Sequence, residues 1–330
     1  MQRIIARLAN GSIRTDVHAS EISSLLAQDN VLLWIDLMPR DDDELATEQL
    51  LQDQFHFHKL AVDDALRETH VPKVDDWHDY LYVVVHAARF DPASRRLHTP
   101  EMDAFVGKKY LVTHHSEPIS ALDGIWTSVG REPRRLDRGG DFLLYQIIDS
   151  VVADYMPLVD QLDEWIDDIE SEILKKPTPY TLTRIMRQKR RLVALRRSLS
   201  MLREVLNRLA RDEYEVIDAK DRIYFRDVYD HVVRLYEIVE SMRDLVGGSL
   251  DTYMSVTSNR INEIMKTLTI VNVIFLPLAF LASFFGMNFF GEEFALHPAA
   301  SGGWVFWIIF AMMIVLPPTM FVWMRLRKWL

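Results

Sequence analysis

Two long uncharged runs near the C-terminus constrain this 330-residue chain more than any other feature. From Leu268 to Phe290, and again from Trp304 to Met324, there is no ionisable side chain. Each run is about the twenty residues that carry a helix across a bilayer core. Both exceed the length at which helices buried in a soluble core usually stop. Trp304, Trp307, Trp323 and Trp329 fall toward the two ends of the second run, where interfacial aromatic belts form. The runs therefore read as two membrane spans.

Basic residues orient them. Arg260 and Lys266 precede the first span, and Arg325, Arg327 and Lys328 follow the second. The intervening stretch Gly291–Gly303 has Glu292 and Glu293 and no Lys or Arg. By the positive-inside rule both termini are expected in the cytoplasm, with an outer loop at about 288–303. The first residues include Arg3 and Arg7 but no apolar core of signal-peptide length, so the chain is expected to begin in the cytoplasm. Two helices cannot enclose a water-filled path. Conduction would need several copies around one axis.

Upstream the chain is highly charged, and its net charge of −10 argues against a nucleic-acid partner, which needs clustered Lys and Arg. No cysteine is present, so disulfides, thiolate metal sites and cysteine nucleophiles are excluded. Residues 1–140 hold β-rich runs at Val31–Leu37 and Tyr80–His86 and a hairpin pattern around Lys108-Lys109, with helical spacing from Asp41 to Leu66. An α/β domain with a mixed sheet is expected. It has no glycine-rich phosphate loop after a strand. Its histidines, among them His56, His58, His70, His114 and His115, lack ligand spacing and read as scattered surface or core residues.

Residues 141–265 read as long helices. An acidic segment, Val151–Leu174, is followed by Pro177-Thr178-Pro179 and then by a basic segment, Leu182–Arg211. An antiparallel hairpin is expected, with the acidic helix pairing the basic one. From Phe225 the apolar positions Val228, Val232, Leu235, Val239, Met242, Val246, Tyr253 and Val256 recur in steps of three and four, broken at Ser249. No proline interrupts this pattern until Pro277, so one helix is expected to run on into the first span, with Gly247-Gly248 its weakest point.

A second stripe of the same period lies on another face. It begins Asp227, Asp230, Arg234, Glu237, Ser241, Asp244, Gly248, Asp251, Ser255, Ser258 and continues Asn262, Met265, Thr269, Asn272, Leu276, Ala279, Ser283. If several copies turned this face inward, the lumen would be acidic first, then amide- and hydroxyl-lined, then narrow and mostly apolar. Asn272 matters most, because an unpaired amide in hydrocarbon costs about 2–7 kcal/mol. It should face a pore or an interhelical contact.

Gly286-Met287-Asn288 closes the first span before a short acidic loop and a second span. Here the chain resembles the CorA family of divalent-cation channels. The resemblance extends through Tyr229-Asp230-His231, Asp251–Tyr253, Asn259–Thr269, Pro277-Leu278 and Lys328-Trp329-Leu330, and more weakly through His58–Asp64 and Pro72-Lys73-Val74. It implies a funnel-shaped homopentamer: an α/β cytoplasmic domain, a bundle of long helices whose stalk becomes the pore, and two C-terminal transmembrane helices (266–330). By the same resemblance Gly286, Met287 and Asn288 form the outer selectivity entrance, Asn262 lines the inner pore, and Met265, Leu268 and Leu276 form an apolar constriction. Asp251, facing Asp91 of a neighbouring copy, would hold regulatory metal, and the acidic start of the stripe at Asp227 is a further candidate.

The expected function is Mg²⁺ influx, with Co²⁺ as a second ion, driven by membrane potential and closed by cytoplasmic metal. The protein would sit in a bacterial inner membrane, would not be an enzyme, and would need no cofactor beyond the transported and regulatory cation. After Asn288 the chain departs from the Met-Pro-Glu-Leu loop frequent in Mg²⁺ members and reads Phe289-Phe290-Gly291-Glu292-Glu293-Phe294-Ala295-Leu296-His297-Pro298. The related ZntB branch moves zinc, so a Zn²⁺ transporter, proton-coupled and with His297 at the entrance, is the alternative. Met287 itself is of the Mg²⁺ type, since ZntB-like chains commonly carry Ile there. A non-conducting membrane scaffold is the third reading.

Overall fold

The computed structural model describes residues 2–38, 44–67, 71–91, 96–287 and 303–327. The chain divides into two compact units, Met1–Asp251 and Thr252–Leu330.

The first unit opens with strands β1 (Gln2–Arg7), β2 (Ile13–Arg14), β3 (Leu32–Leu37), β4 (Lys73–Asp76), β5 (Leu81–His86), β6 (Arg89–Asp91), β7 (Arg96–His98), β8 (Glu101–Gly107) and β9 (Tyr110–His114). Seven of them form a mixed sheet in the order β2-β1-β3-β9-β8-β5-β4, while β6 and β7 make a separate ribbon. The β3–β9 pair is parallel and every other pair is antiparallel. Gly107 opposite Tyr110 closes the expected hairpin around Lys108-Lys109.

All six residues of β3 are buried, the mark of a strand covered on both faces. Leu33, Ile35 and Leu37 join the core built with α1 (Ile22–Leu26), α2 (Glu44–Gln49) and α3 (Lys59–Arg67), which includes Ile22, Val62 and Ala65. Trp34, one residue out of phase, meets Trp126 of α4 (Ser120–Arg131) at 4.8 Å. The helical stretch expected from Asp41 to Leu66 breaks at Phe55–His58, where His56 takes a φ of 55°. Its first residues, 41–43, lie outside the described residues, as does His70.

Helix α5 (Gly140–Ala153) packs on β8 and β9 so closely that a Cβ on Gly140 would sit 2.7 Å from the Tyr110 carbonyl oxygen. Helix α6 (Tyr155–Lys175) and helix α7 (Pro179–Arg211) form the expected hairpin. Thr178 starts α7 by accepting from the Thr181 amide at 3.3 Å, with Pro179 at the first helical position. The expected charge pairing holds at Arg184 and Glu172, and most of the α6 carboxylates face away from α7. Val159, Leu162, Ile166, Ile169 and Ile173 take the inner face of α6, and their spacing puts Asp160, Asp163, Glu164, Asp167 and Asp168 on the outer, exposed face. Arg196 of α7 pairs instead with Glu240 at 2.5 Å.

Helix α8 (Arg222–Gly286) is continuous for 65 residues and passes through Gly247-Gly248 and Pro277. Val228, Val232, Leu235, Val239, Met242, Val246 and Tyr253 are buried along one stripe, and Ser249 is buried with them. Val246 and Ser249 flank the two glycines with anchored positions, which offset their low helix propensity of about 1 kcal/mol each. In the second unit, α9 (Gly303–Leu326) carries Pro317 and Pro318 inside its length.

Three helical stretches among the described residues are long and apolar enough to cross a membrane: Gly140–Lys175, Arg222–Gly286 and Trp307–Leu326. The first turns much of its apolar surface inward, with Leu143, Leu144, Ile147, Ile148, Val151 and Val152 all buried. The other two leave Phe275, Phe280, Trp307, Ile308 and Phe310 exposed. An apolar surface of that extent needs lipid or other chains to cover it.

Candidate cation path on the long helix

The stripe from Asp227 to Ser283 is exposed at every position in the single chain; as far as Tyr253 it lies opposite a buried stripe, and beyond that no residue of α8 is buried. Its membrane part comprises Asn262, Met265, Thr269, Asn272, Leu276, Ala279 and Ser283, with Leu268 beside it, and Leu276 is 72% exposed. The Thr269 hydroxyl donates to the Met265 carbonyl at 2.8 Å, so it presents a lone pair outward rather than a proton. Asn272 is an exposed amide between Val271 and Val273.

Gly286 is the last residue of α8, and the Met287 amide still reaches the Phe284 carbonyl at 3.4 Å. Gly286 has no positive φ, and a Cβ placed on it would meet no described atom within 4 Å. Among the described residues nothing requires glycine there. Asn288, Glu292, Glu293 and His297 lie outside the described residues, as do Lys328 and Trp329.

The carboxylates assigned to regulation fall at separate places in the first unit. Asp91 is half-buried in β6, opposite Arg96 of β7. Asp251 is exposed on α8, two residues beyond Ser249, whose hydroxyl donates to Glu170 of α6 at 2.9 Å. Asp227 is exposed near the start of α8, close enough to Asp149 of α5 to act on it. Burial pushes the Asp149 carboxyl up, and the Asp227 charge adds to that rise while His231 opposes it. Asp149 escaped the sequence reading. The signal was there, an acid set between Ile148 and Val151 in an otherwise apolar helical run.

Two of the histidines sit deep in the sheet. His115 Nε2 lies 3.3 Å from Asp36 Oδ1, and His114 Nδ1 lies 3.3 Å from Asp103 Oδ2. Thr113 Oγ1 donates to Asp36 at 2.5 Å and Arg3 Nε donates to it at 2.7 Å. Tyr82 donates to Asp103 at 2.7 Å. Burial pushes the Asp103 carboxyl up despite these partners. Among the described residues no group of three or more His, Asp or Glu side chains is placed to hold a metal ion.

The sequence matches the family described as CorA-like Mg2+ transporter protein over residues 29–328. The chain belongs to the CorA family. This CorA-family chain is 35% identical over 282 residues to the cobalt/magnesium transport protein CorA of Thermotoga maritima, covering 84% of this chain and 78% of that protein. It is 24% identical over 214 residues to the zinc transport protein ZntB of Pectobacterium carotovorum, covering 64% of this chain and 62% of that protein. Its fold matches the complete structure of the CorA magnesium transporter from Methanocaldococcus jannaschii with a TM-score of 0.81, across 100% of this chain and 99% of that one at 22% identity. The α/β unit, the long helix and the C-terminal apolar helices are thus the architecture of the CorA fold.

Proposed function

We propose that this CorA-family chain is a divalent-cation channel that admits Mg²⁺, and also Co²⁺, down the inside-negative potential of a bacterial inner membrane. The observation that carries this reading is the α8 face itself. Seventeen stripe residues, from Asp227 to Ser283, are left uncovered by the described residues of the chain. Five copies around one axis, in a funnel-shaped homopentamer, would turn that face inward and cover it. Residues 1–140 and 141–265 then form the cytoplasmic part, and 266–330 the membrane part, with both termini inside.

Mg²⁺ gives up its waters reluctantly, so an entrance that selects it does best by binding the hydrated ion. A ring of Gly286, Met287 and Asn288 supplies backbone and amide oxygens for hydrogen bonds to those waters. Gly286, which no described residue of its own chain requires, fits a position where neighbouring copies or a hydrated ion approach closely. Glu292 and Glu293 raise the local cation concentration without serving as ligands. Entry of a divalent ion gains about 4.6 kcal/mol per 100 mV, so neither ATP nor a coupling ion is needed. Met265, Leu268 and Leu276 close the path by excluding water, and Asn262, Thr269, Asn272, Ala279 and Ser283 line the rest. Asp251 with a neighbour's Asp91, and Asp227, repel until cytoplasmic metal bridges them and favours the closed arrangement.

A zinc transporter of the ZntB type, proton-coupled, is the second reading. It is favoured by the departure after Asn288, which brings His297 into the outer loop, and by the likeness to ZntB. Liposomes holding the purified chain and an entrapped Mg²⁺ indicator test the entrance. Asn288→Ala should lower Mg²⁺ entry by about ten-fold or more. Unchanged entry would sink the entrance assignment, and no entry through the parent chain would favour a non-conducting scaffold.

A further inference from the structure

A cleft of about 440 Å³ opens between β6, α6 and α7, away from the long helix. In a chain of net charge −10, its wall is cationic. Arg184, Arg187 and Arg191 line it from α7, and among the described residues no Asp or Glu lines it. Their spacing of three and four keeps all three on one helix face. Phe90 of β6, Trp165 of α6 and Tyr180 at the start of α7 supply aromatic surface to the same cleft.

The three arginines are not equivalent. Arg184 is held by Glu172. The Arg191 guanidinium lies 4.6 Å from the centre of the Trp165 ring and 5.1 Å from that of Phe90, and it donates to Gln188 Oε1 at 2.8 Å. Phe90 and Trp165 themselves meet edge to face at 4.9 Å. Arg191 is thus fixed in place. Arg187 has no hydrogen bond, ion pair or ring contact among the described residues. Tyr180 is 57% exposed.

Packing explains part of this arrangement. Arg191 stacked on two rings ties α7 to α6 and β6 with or without a ligand. It does not explain a guanidinium without a partner or an exposed tyrosine at the same cleft. A cation is repelled there, and a purely apolar ligand would strip water from Arg187 without compensation. A phosphate matches the guanidinium fork, and a flat base matches the aromatic surface. The volume falls in the range of small-molecule sites, about 300–1,000 Å³.

We propose that this cleft binds a nucleoside phosphate, with phosphate oxygens on Arg187 and Arg191 and the base against Tyr180. Side chains do the holding instead of a glycine-rich loop, which is why no loop motif announces the site. The proposal does not rest on the transport reading, because binding is measured without flux.

Equilibrium dialysis of the full-length chain in detergent, with labelled ATP at fixed free Mg²⁺, provides the test. Saturable binding below about 1 mM is expected, with pyrophosphate competing about ten-fold more weakly because it has no ring to stack. Arg187→Ala should weaken ATP binding by about ten-fold or more. Its circular dichroism should be unchanged, since Arg187 holds nothing in the fold. Tyr180→Ala should bring ATP down to the affinity of pyrophosphate. Absence of saturable binding, equal affinities for ATP and pyrophosphate in the parent chain, or binding indifferent to Arg187→Ala would each overturn the proposal.

Discussion

Ser249 of α8 donates its hydroxyl to Glu170 of α6 at 2.9 Å, at the one position where the buried stripe of α8 turns polar. The serine therefore replaces a packing contact with a charge-assisted hydrogen bond, worth about 1.5–3 kcal/mol. Ser249→Ala leaves the Glu170 carboxylate without that donor. We expect the melting temperature of the detergent-solubilised chain to fall by about 2–6 °C. A double-mutant cycle with Glu170→Gln should return a coupling of about 1 kcal/mol. Additive effects would mean that the bond contributes nothing to holding α8.

The Asp36–His115 pair predicts a pH window. Burial pushes Asp36 up, but the hydrogen bond and charge of His115, with Thr113 and Arg3, overcome it and hold the carboxyl below its ordinary 3.8. Burial pushes His115 down, but Asp36 overcomes it and holds the imidazole above its ordinary 6.5. Stability from His115 is fully present below pH 6.5 and is lost as pH rises through its higher folded value. Stability from Asp36 is fully present above pH 3.8 and is lost as pH falls through its lower folded value. Between those limits His115→Gln should cost about 3 kcal/mol, because it leaves Asp36 buried with one charge partner fewer. Thermal unfolding at several pH values checks this. The gap between parent and variant should narrow as pH rises above neutrality, and a gap that widens would contradict the assignment.

The long helix was the most legible part of the sequence. Val228, Val232, Leu235, Val239, Met242 and Val246 keep a strict period because one bundle buries them all. Ser249 was visible as a break, but its reason was not, since Glu170 lies 79 residues away. Strands β3, β8 and β9 were readable singly, whereas the insertion of β9 between β3 and β8 depends on long-range pairing. Charge misled where shape decided. The carboxylates of α6 and the arginines of α7 have opposite signs, but the apolar face of α6 turns Asp163, Glu164 and Asp167 away from α7. The Asp227–Ser283 stripe is exposed in the single chain, as is every residue from Ser258 to Thr269, while the entrance at Asn288 lies outside the described residues.

Regulation by metal is testable at Asp251. Lysine there would put an ammonium against the carboxylates that cytoplasmic metal is proposed to bridge, making the bridge permanent or preventing it. Either way, flux through Asp251→Lys should no longer respond to Mg²⁺ on the cytoplasmic side. The measurement is Mg²⁺ entry into liposomes at several internal concentrations. A response unchanged from the parent chain would remove Asp251 from the regulatory site.

The central claim concerns which ion moves and what drives it. Liposomes containing the purified chain should be offered Mg²⁺, Co²⁺ and Zn²⁺ in turn, each with an inside-negative potential and with or without a pH gradient. We expect Mg²⁺ and Co²⁺ to enter, faster as the potential becomes more negative and unaffected by the pH gradient. Entry of Zn²⁺ alone, dependent on a proton gradient, would contradict the account, as would the absence of flux for all three ions.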